Sequence, residues 1–327
     1  MSERKTGLVV LYNHNYEQNI EKIRRIYKER FPEMRQLMPF YYGNDPEVIR
    51  VYGNSFYFQT YIAQACEKLM EMDCDDFLII GDDLLLNPEI TAGNFHEKMG
   101  VEPGSFYIDG VVDVSSGLCR RATVEAHQFS MCFPGLDGTA NRIVPTYEEA
   151  EKRLCELGVM KTTALKRYQP FYPKWEHPFL PNLGNNYHLF KARVYHFLMM
   201  LNYRFSPRKM SYPCVFGYSD ILLAPRERMV DFCHYLEVFA AWRMFVELAI
   251  PTAILLLPDA KFRFVDSCRY RTGNVWYPQD PEHFKKINDL IEAMTEKAEG
   301  QIGKLKEAFP QEYAYLHPVK LSKLKED

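Results

Sequence analysis

Asp82 and Asp83 stand side by side where an apolar run ends, in Asp76-Phe77-Leu78-Ile79-Ile80-Gly81-Asp82-Asp83. Two adjacent carboxylates supply the hard oxygen ligands that Mg²⁺ and Mn²⁺ prefer, and such ions bridge readily to substrate phosphates. The competing reading is a solvated turn in which one Asp caps the segment from Leu84 onward. Two further polar groups follow apolar runs in the same way. Asn13, His14 and Asn15 come directly after Leu8-Val9-Val10-Leu11-Tyr12, and Gly53, Asn54 and Ser55 come after Val48 to Tyr52. In an open α/β sheet, ligands bind at the carboxyl ends of the strands, so these groups would converge on one rim.

The elements that must hold that rim are readable from hydrophobic patterning. A continuous apolar run predicts a strand buried on both faces at Leu8–Tyr12, and further strands are predicted at Leu37–Tyr42, Val48–Tyr52 and Asp76–Ile80. Helices are predicted from Glu17 to Phe31 and from about Phe56 to Met72, the second capped by Gly53-Asn54-Ser55. This alternation predicts βαβ units. Beyond residue 100 the pattern predicts a strand over Phe106–Val114, a charged helix over Thr146–Leu157 and a helix over Lys191–Tyr203. The Pro- and aromatic-rich stretch Tyr168–Pro181 reads as a loop or lid. A strand over Val215–Ala224, a long apolar helix over Arg226–Ala249, a strand over Ala253–Leu257 and a helical tail complete the reading.

The chain has 327 residues, 47% of them hydrophobic and 25% charged, the composition of a globular protein. A net charge of −3 gives no basic field for nucleic acid. The 22 Tyr and 22 Phe suit stacking on a base or sugar, although most large rings fill cores. Eight cysteines (66, 74, 119, 132, 155, 214, 233, 268) form no CxxC pair, which argues against zinc and redox-pair chemistry. With no secretory signal pattern at the start, reduced thiols and a cytoplasmic location are expected. The longest apolar stretch, Phe245 to Pro258, is about 14 residues against the roughly 20 that a membrane span needs. No transmembrane segment is therefore expected, while peripheral membrane contact stays open.

The first 90 residues resemble the nucleotide-binding half of GT-A-type glycosyltransferases, in the buried first strand ending at Asn13, the helix start at Gly53-Asn54-Ser55 and the acids that follow Ile79. The family's Asp-x-Asp-type motif has an acid at its first position, where this chain has Gly81. The resemblance implies an α/β fold: a GT-A-like, Rossmann-type, mostly parallel central sheet flanked by helices, with helical insertions and a helical C-terminal tail. It implies a single domain over 1–327. Residues 1–100 would bind a nucleotide-sugar donor, residues 101–270 an acceptor beneath a lid at 168–186, and residues 271–327 would form the tail. Mn²⁺ or Mg²⁺ on Asp82 and Asp83 would neutralise the leaving diphosphate. Tyr12, Asn13, Asn15 and Asn54 would line the donor site, with burial of the Tyr12 ring as the alternative.

Some GT-A families end with a His that completes the metal shell and a Lys on the diphosphate. His317-Pro318-Val319-Lys320 looks like that arrangement. An inverting transfer also needs a carboxylate to deprotonate the acceptor hydroxyl. Asp220, in Gly217-Tyr218-Ser219-Asp220, is the first candidate and Glu247 the second. The alternatives are a cap for Asp220 and, for Glu247, an i, i+4 pair with Arg243. The function expected is sugar transfer to a glycan or glycolipid acceptor, of the kind that builds bacterial surface polysaccharide. The rival readings are a sugar-nucleotide-forming nucleotidyltransferase and a non-catalytic nucleotide- or sugar-binding protein. Such nucleotidyltransferases usually carry a glycine-rich phosphate loop after the first strand, and Asn13-His14-Asn15 has no glycine.

Overall fold

Burial at every position of the first strand, β1 (Thr6–Leu11), leaves it no solvent face, and the chain builds a sheet around it. The computed structural model describes residues 4–117, 122, 125–126, 129, 142–165, 182–205, 209–265, 269–276 and 281–326. In chain order β1 is followed by α1 (Ile20–Tyr27), β2 (Met34–Pro39), β3 (Val48–Val51), α2 (Phe58–Leu69), β4 (Asp76–Gly81), β5 (Leu85–Leu86), α3 (Phe95–Met99), β6 (Ser105–Ile108) and β7 (Val112–Asp113). Then come α4 (Tyr147–Glu156), α5 (Leu183–Phe205), β8 (Val215–Phe216), β9 (Ile221–Pro225), α6 (Met229–Ala241) and α7 (Val246–Leu256). The last elements are β10 (Lys261–Phe264), β11 (Arg271–Asn274), α8 (Pro281–Lys297), α9 (Leu305–Ala308) and β12 (Tyr313–His317).

Among the described residues the main sheet has seven strands in the order β10-β6-β9-β4-β1-β2-β3. All neighbouring pairs are parallel except those of β9, which runs antiparallel between β4 and β6. The expected α/β architecture with a mostly parallel central sheet flanked by helices is therefore present. Side-chain alternation splits the core into two layers. Val9, Leu11, Phe77, Ile79, Leu222 and Ala224 face one cluster, which includes residues of α2, α4, α6 and α7. Leu8, Val10, Leu78, Ile80, Ile221 and Leu223 face the other, with residues of α1, α3, α8, α9 and β12.

Several expected elements differ. The helix expected over Arg226–Ala249 is two helices, α6 and α7. Arg243 between them takes a left-handed φ of 59°, and Phe245 caps α7 in an extended conformation. The pairing of Glu247 with Arg243 on one helix is thus excluded. Ala253–Leu257 is the end of α7, not a strand. The segment is apolar because α7 is buried on nearly every side, so it shows no helical period. The strand expected over Val215–Ala224 is split into β8 and β9, and that over Phe106–Val114 into β6 and β7. The tail is not purely helical: β12 is the central strand of a second sheet, β11-β12-β5. Within the stretch 168–186, residues 168–181 lie outside the described residues and 183–186 begin α5. Cys66, Cys74, Cys155, Cys214 and Cys233 are free thiols; Cys119, Cys132 and Cys268 lie outside the described residues.

Candidate active site

The register of β1 against β4 sets Leu11 opposite Gly81, so the two strands end together and their polar successors meet. Asp82 N–H donates to the Leu11 carbonyl at 2.8 Å. Asn13 then donates to Asp82 Oδ1 twice, from its backbone N–H at 3.1 Å and from Nδ2 at 3.3 Å. Asp82 is only 5% exposed. Asp83 is more open and reaches the other way, towards the C-terminal strand.

That strand arrives by a ladder of only two residue pairs. Leu85 and Leu86 pair antiparallel with Leu316 and Tyr315, and the register carries His317 to Asp83. His317 Nε2 lies 3.0 Å from Asp83 Oδ1, and Val319 N–H donates to the Asp83 carbonyl at 2.6 Å. Residues 234 positions apart are thereby held in one site. His317 Nδ1 is buried without a hydrogen-bond partner. Lys320 is exposed nearby, and its charge helps to hold Asp83 ionised.

Asp220 joins the same cluster from β9. Its carbonyl accepts the Gly81 N–H at 3.0 Å. A side chain at position 81 would begin 3.7 Å from Asp220 Oδ1 and 3.3 Å from Asp83 Oδ1. Asp220 thus supplies a carboxylate beside the position where Gly81 lacks one. Glu247 does not bring its carboxylate into any of these contacts; its backbone carbonyl accepts the Gly217 N–H at 2.9 Å. Pro251, four residues on, has no N–H to offer that carbonyl, so the gap in the α7 ladder is filled by the loop that carries Asp220. Gly217 fits tightly there, since a Cβ would sit 2.6 Å from the Gly110 carbonyl oxygen and 3.3 Å from Pro251 Cβ. Gly217→Ala is expected to cost about 1–3 kcal/mol by overpacking and to displace Asp220. A thermal melt unchanged from wild type would refute this.

Burial raises the Asp82 carboxyl most, and the adjacent Asp83 charge raises it further, to about 7. For Asp83 burial also favours the neutral form, but His317 outweighs it and holds the group below the usual carboxylate range. Burial opposes charge on His317, yet Asp83 and Asp220 raise its pKa above the ordinary value. Asp220 is raised by burial and by Asp83, with His317 opposing. Two carboxylates, Asp82 and Asp220, are therefore short of compensating positive charge.

Among the described residues no group of three or more His, Cys, Asp and Glu side chains already stands in metal-binding geometry. The donors nevertheless suit a divalent ion in kind. Three carboxylates and one imidazole converge, the imidazole has an orphaned nitrogen, and Asp82 and Asp220 lack a counter-charge.

The donor-side expectations divide. Asn13 and Asn15 stand on the rim, Asn13 holding Asp82 and Asn15 donating to the Phe40 carbonyl at 2.9 Å. Asn54 is exposed and caps the following turn, accepting from Phe56 N–H at 3.0 Å. Tyr12 is corrected: its ring is fully buried and its hydroxyl donates to Gln36, so it cannot stack on a base. Aromatic rings not singled out in the sequence occupy the rim instead. Phe40 follows β2 and Tyr52 follows β3, each about half exposed, with ring centroids 5.7 Å apart. Phe40 holds a left-handed φ of 54°, unusual for a bulky residue. Their signal was position, one residue past the end of a strand.

Behind the acids lies a buried polar network that was also missed. Tyr218 stacks on Tyr315 at 5.9 Å and meets His317 edge-on at 5.7 Å. Tyr315 and Tyr107 both donate to Asp109, and Asn274 donates to the Tyr315 hydroxyl at 3.2 Å. Asp109 follows β6 just as Asp82 follows β4, so strand-end position could have found it. A cavity of about 500 Å³ lined by Tyr270, Arg271, His283 and Lys286 lies apart from the acid cluster. No protein-family model matches the chain, and no curated protein matches its sequence.

Proposed function

We propose that the chain is a metal-dependent glycosyltransferase with a GT-A-like arrangement, moving a sugar from a nucleotide-diphosphate donor to an acceptor hydroxyl of a glycan or glycolipid. The observation that carries this reading is the meeting of Asp82, Asp83, Asp220 and His317 at the carboxyl end of β4, from three separate parts of the chain. Mn²⁺ or Mg²⁺, when bound by Asp82, Asp83 and His317, would supply positive charge against the departing diphosphate. The protein's own residues have distinct tasks in this reading. Asn13 fixes the Asp82 rotamer, and Lys320 offers a mobile ammonium to a phosphate oxygen. Phe40 and Tyr52 offer rings to the base. Asp220, buried enough to retain basicity, accepts the acceptor's proton. Its place beside Gly81 favours one second reading, in which Asp220 completes the metal shell.

The direct test is thermal stabilisation by nucleoside diphosphates with and without Mn²⁺, because a ligand that binds the native state raises the melting temperature. At least one nucleoside diphosphate is expected to raise it by several degrees only when Mn²⁺ is present. The absence of any metal-dependent shift across the common bases would refute the proposal. Formation of free pyrophosphate from a sugar phosphate and a nucleoside triphosphate would assign the site to nucleotidyl transfer instead.

A further inference from the structure

The helix α5 turns a row of large apolar side chains to solvent. Leu183, Tyr187, Phe190, Val194, Phe197 and Leu198 recur at spacings of three and four and are each 41–58% exposed. At 3.6 residues per turn they form one stripe roughly 100° wide along a helix of about 34 Å. The 23-residue helix contains no Asp or Glu. Lys191 and Arg193 fall roughly 80° to either side of the centre of the stripe, and Lys191 Nζ lies over the Tyr187 ring at 4.6 Å. The surrounding sequence extends the same bias. Between Glu176 and Asp220 there are five Lys and Arg residues and no acid, in a chain whose net charge is −3.

We infer that α5 is a docking surface for an anionic lipid bilayer, lying in the plane of the interface with its apolar stripe down. Among the described residues no helix is long and apolar enough to cross a membrane, so this helix lies on the bilayer and does not span it. Apolar rings flanked on both sides by cations, with no acid, match the interfacial boundary between headgroups and acyl chains. The flanking cations meet anionic headgroups, and each contributes to surface attraction. A second copy of the chain fits less well, because stacking two such helices would set like charges against each other. The net negative charge outside this segment orients the rest of the molecule away from the surface.

The test is cosedimentation of the full chain with phosphatidylcholine vesicles, with and without about one-third phosphatidylglycerol. Wild type is expected to bind the anionic vesicles, to bind neutral ones much less, and to be released by high salt. Phe190→Ser with Phe197→Ser should weaken partitioning by more than about tenfold. Lys191→Ala should weaken it by about fivefold. All three sites are exposed, and circular dichroism checks that the helix persists. Absence of binding to anionic vesicles, equal binding to neutral ones, or binding indifferent to these variants would overturn the inference. So would a concentration-dependent dimer that the Phe variants dissolve, which would assign the face to self-association. Vesicle binding is read without any activity assay, so this outcome is separate from that of the sugar-transfer proposal.

Discussion

Replacing Asp82 and Asp83 together by Asn should weaken Mn²⁺-dependent binding of a nucleoside diphosphate by at least about a hundredfold, read by calorimetry. The two carboxylates are adjacent and close enough for their charges to interact, and their amides cannot neutralise a cation. Unaltered affinity would dispose of the metal assignment. The single change Asp82→Asn carries a second expected result, on stability. Asp82 has a folded-state pKa of about 7 against an ordinary 3.8. A carboxyl raised in this way contributes stability that is fully present below about pH 4 and is lost as pH rises through 7. The apo protein should therefore lose stability between about pH 4 and 7 on account of this group, with a ceiling of about 4 kcal/mol. His317, raised above its ordinary value, acts in the same direction, its contribution fading as pH climbs past 6.5. Asp83 acts oppositely, its contribution disappearing as pH falls below the usual carboxylate range. Asp82→Asn should raise the melting temperature of the metal-free protein at pH 7.5 by a few degrees. A lower melting temperature at that pH would show that the buried charge is compensated in some other way.

Asp220→Asn is expected to lower transfer by about 10²–10⁴-fold while donor affinity changes little, which is the loss associated with one general base. Single-turnover transfer and calorimetric donor binding, measured on the same preparation, separate the two roles open to this residue. Loss of both would make Asp220 a metal ligand beside Gly81. Normal turnover would remove it from the chemistry altogether. The conservative Asn keeps the side chain's size, and the Gly81 N–H bond is to the residue's backbone carbonyl, so the loop stays anchored.

The parallel half of the sheet was legible because β1 is unbroken apolar from Leu8 to Leu11 and β4 from Phe77 to Ile80, and their strand-end acids and amides stood out against it. Asp82 and Asp83 could be placed from that alone. The meeting of His317 with Asp83 was suggested only by resemblance, since it depends on a two-residue ladder between Leu85-Leu86 and Tyr315-Leu316 that has no period to read. Tyr12 shows the limit of reasoning from strand ends. One residue beyond Leu11 is still inside the core, and Asn13 is the first to reach the rim. The break between α6 and α7 was hidden because Arg243, not glycine, takes the left-handed turn. The α7 misreading has the opposite cause, since uniform burial erased the polar face that would have marked a helix.

The fit of Gly217 against Gly110 and Pro251 also bears on how this chain can vary. With an N–H at position 251, the helix could reclaim the Glu247 carbonyl and the Gly217 amide would lose its acceptor. With a side chain at position 217, the proline ring would be in the way. Neither residue can drift alone without disturbing the loop that ends at Asp220, so the two behave as one heritable unit. A ring nitrogen on a helix otherwise devoted to packing thereby sets where an acid stands in the site.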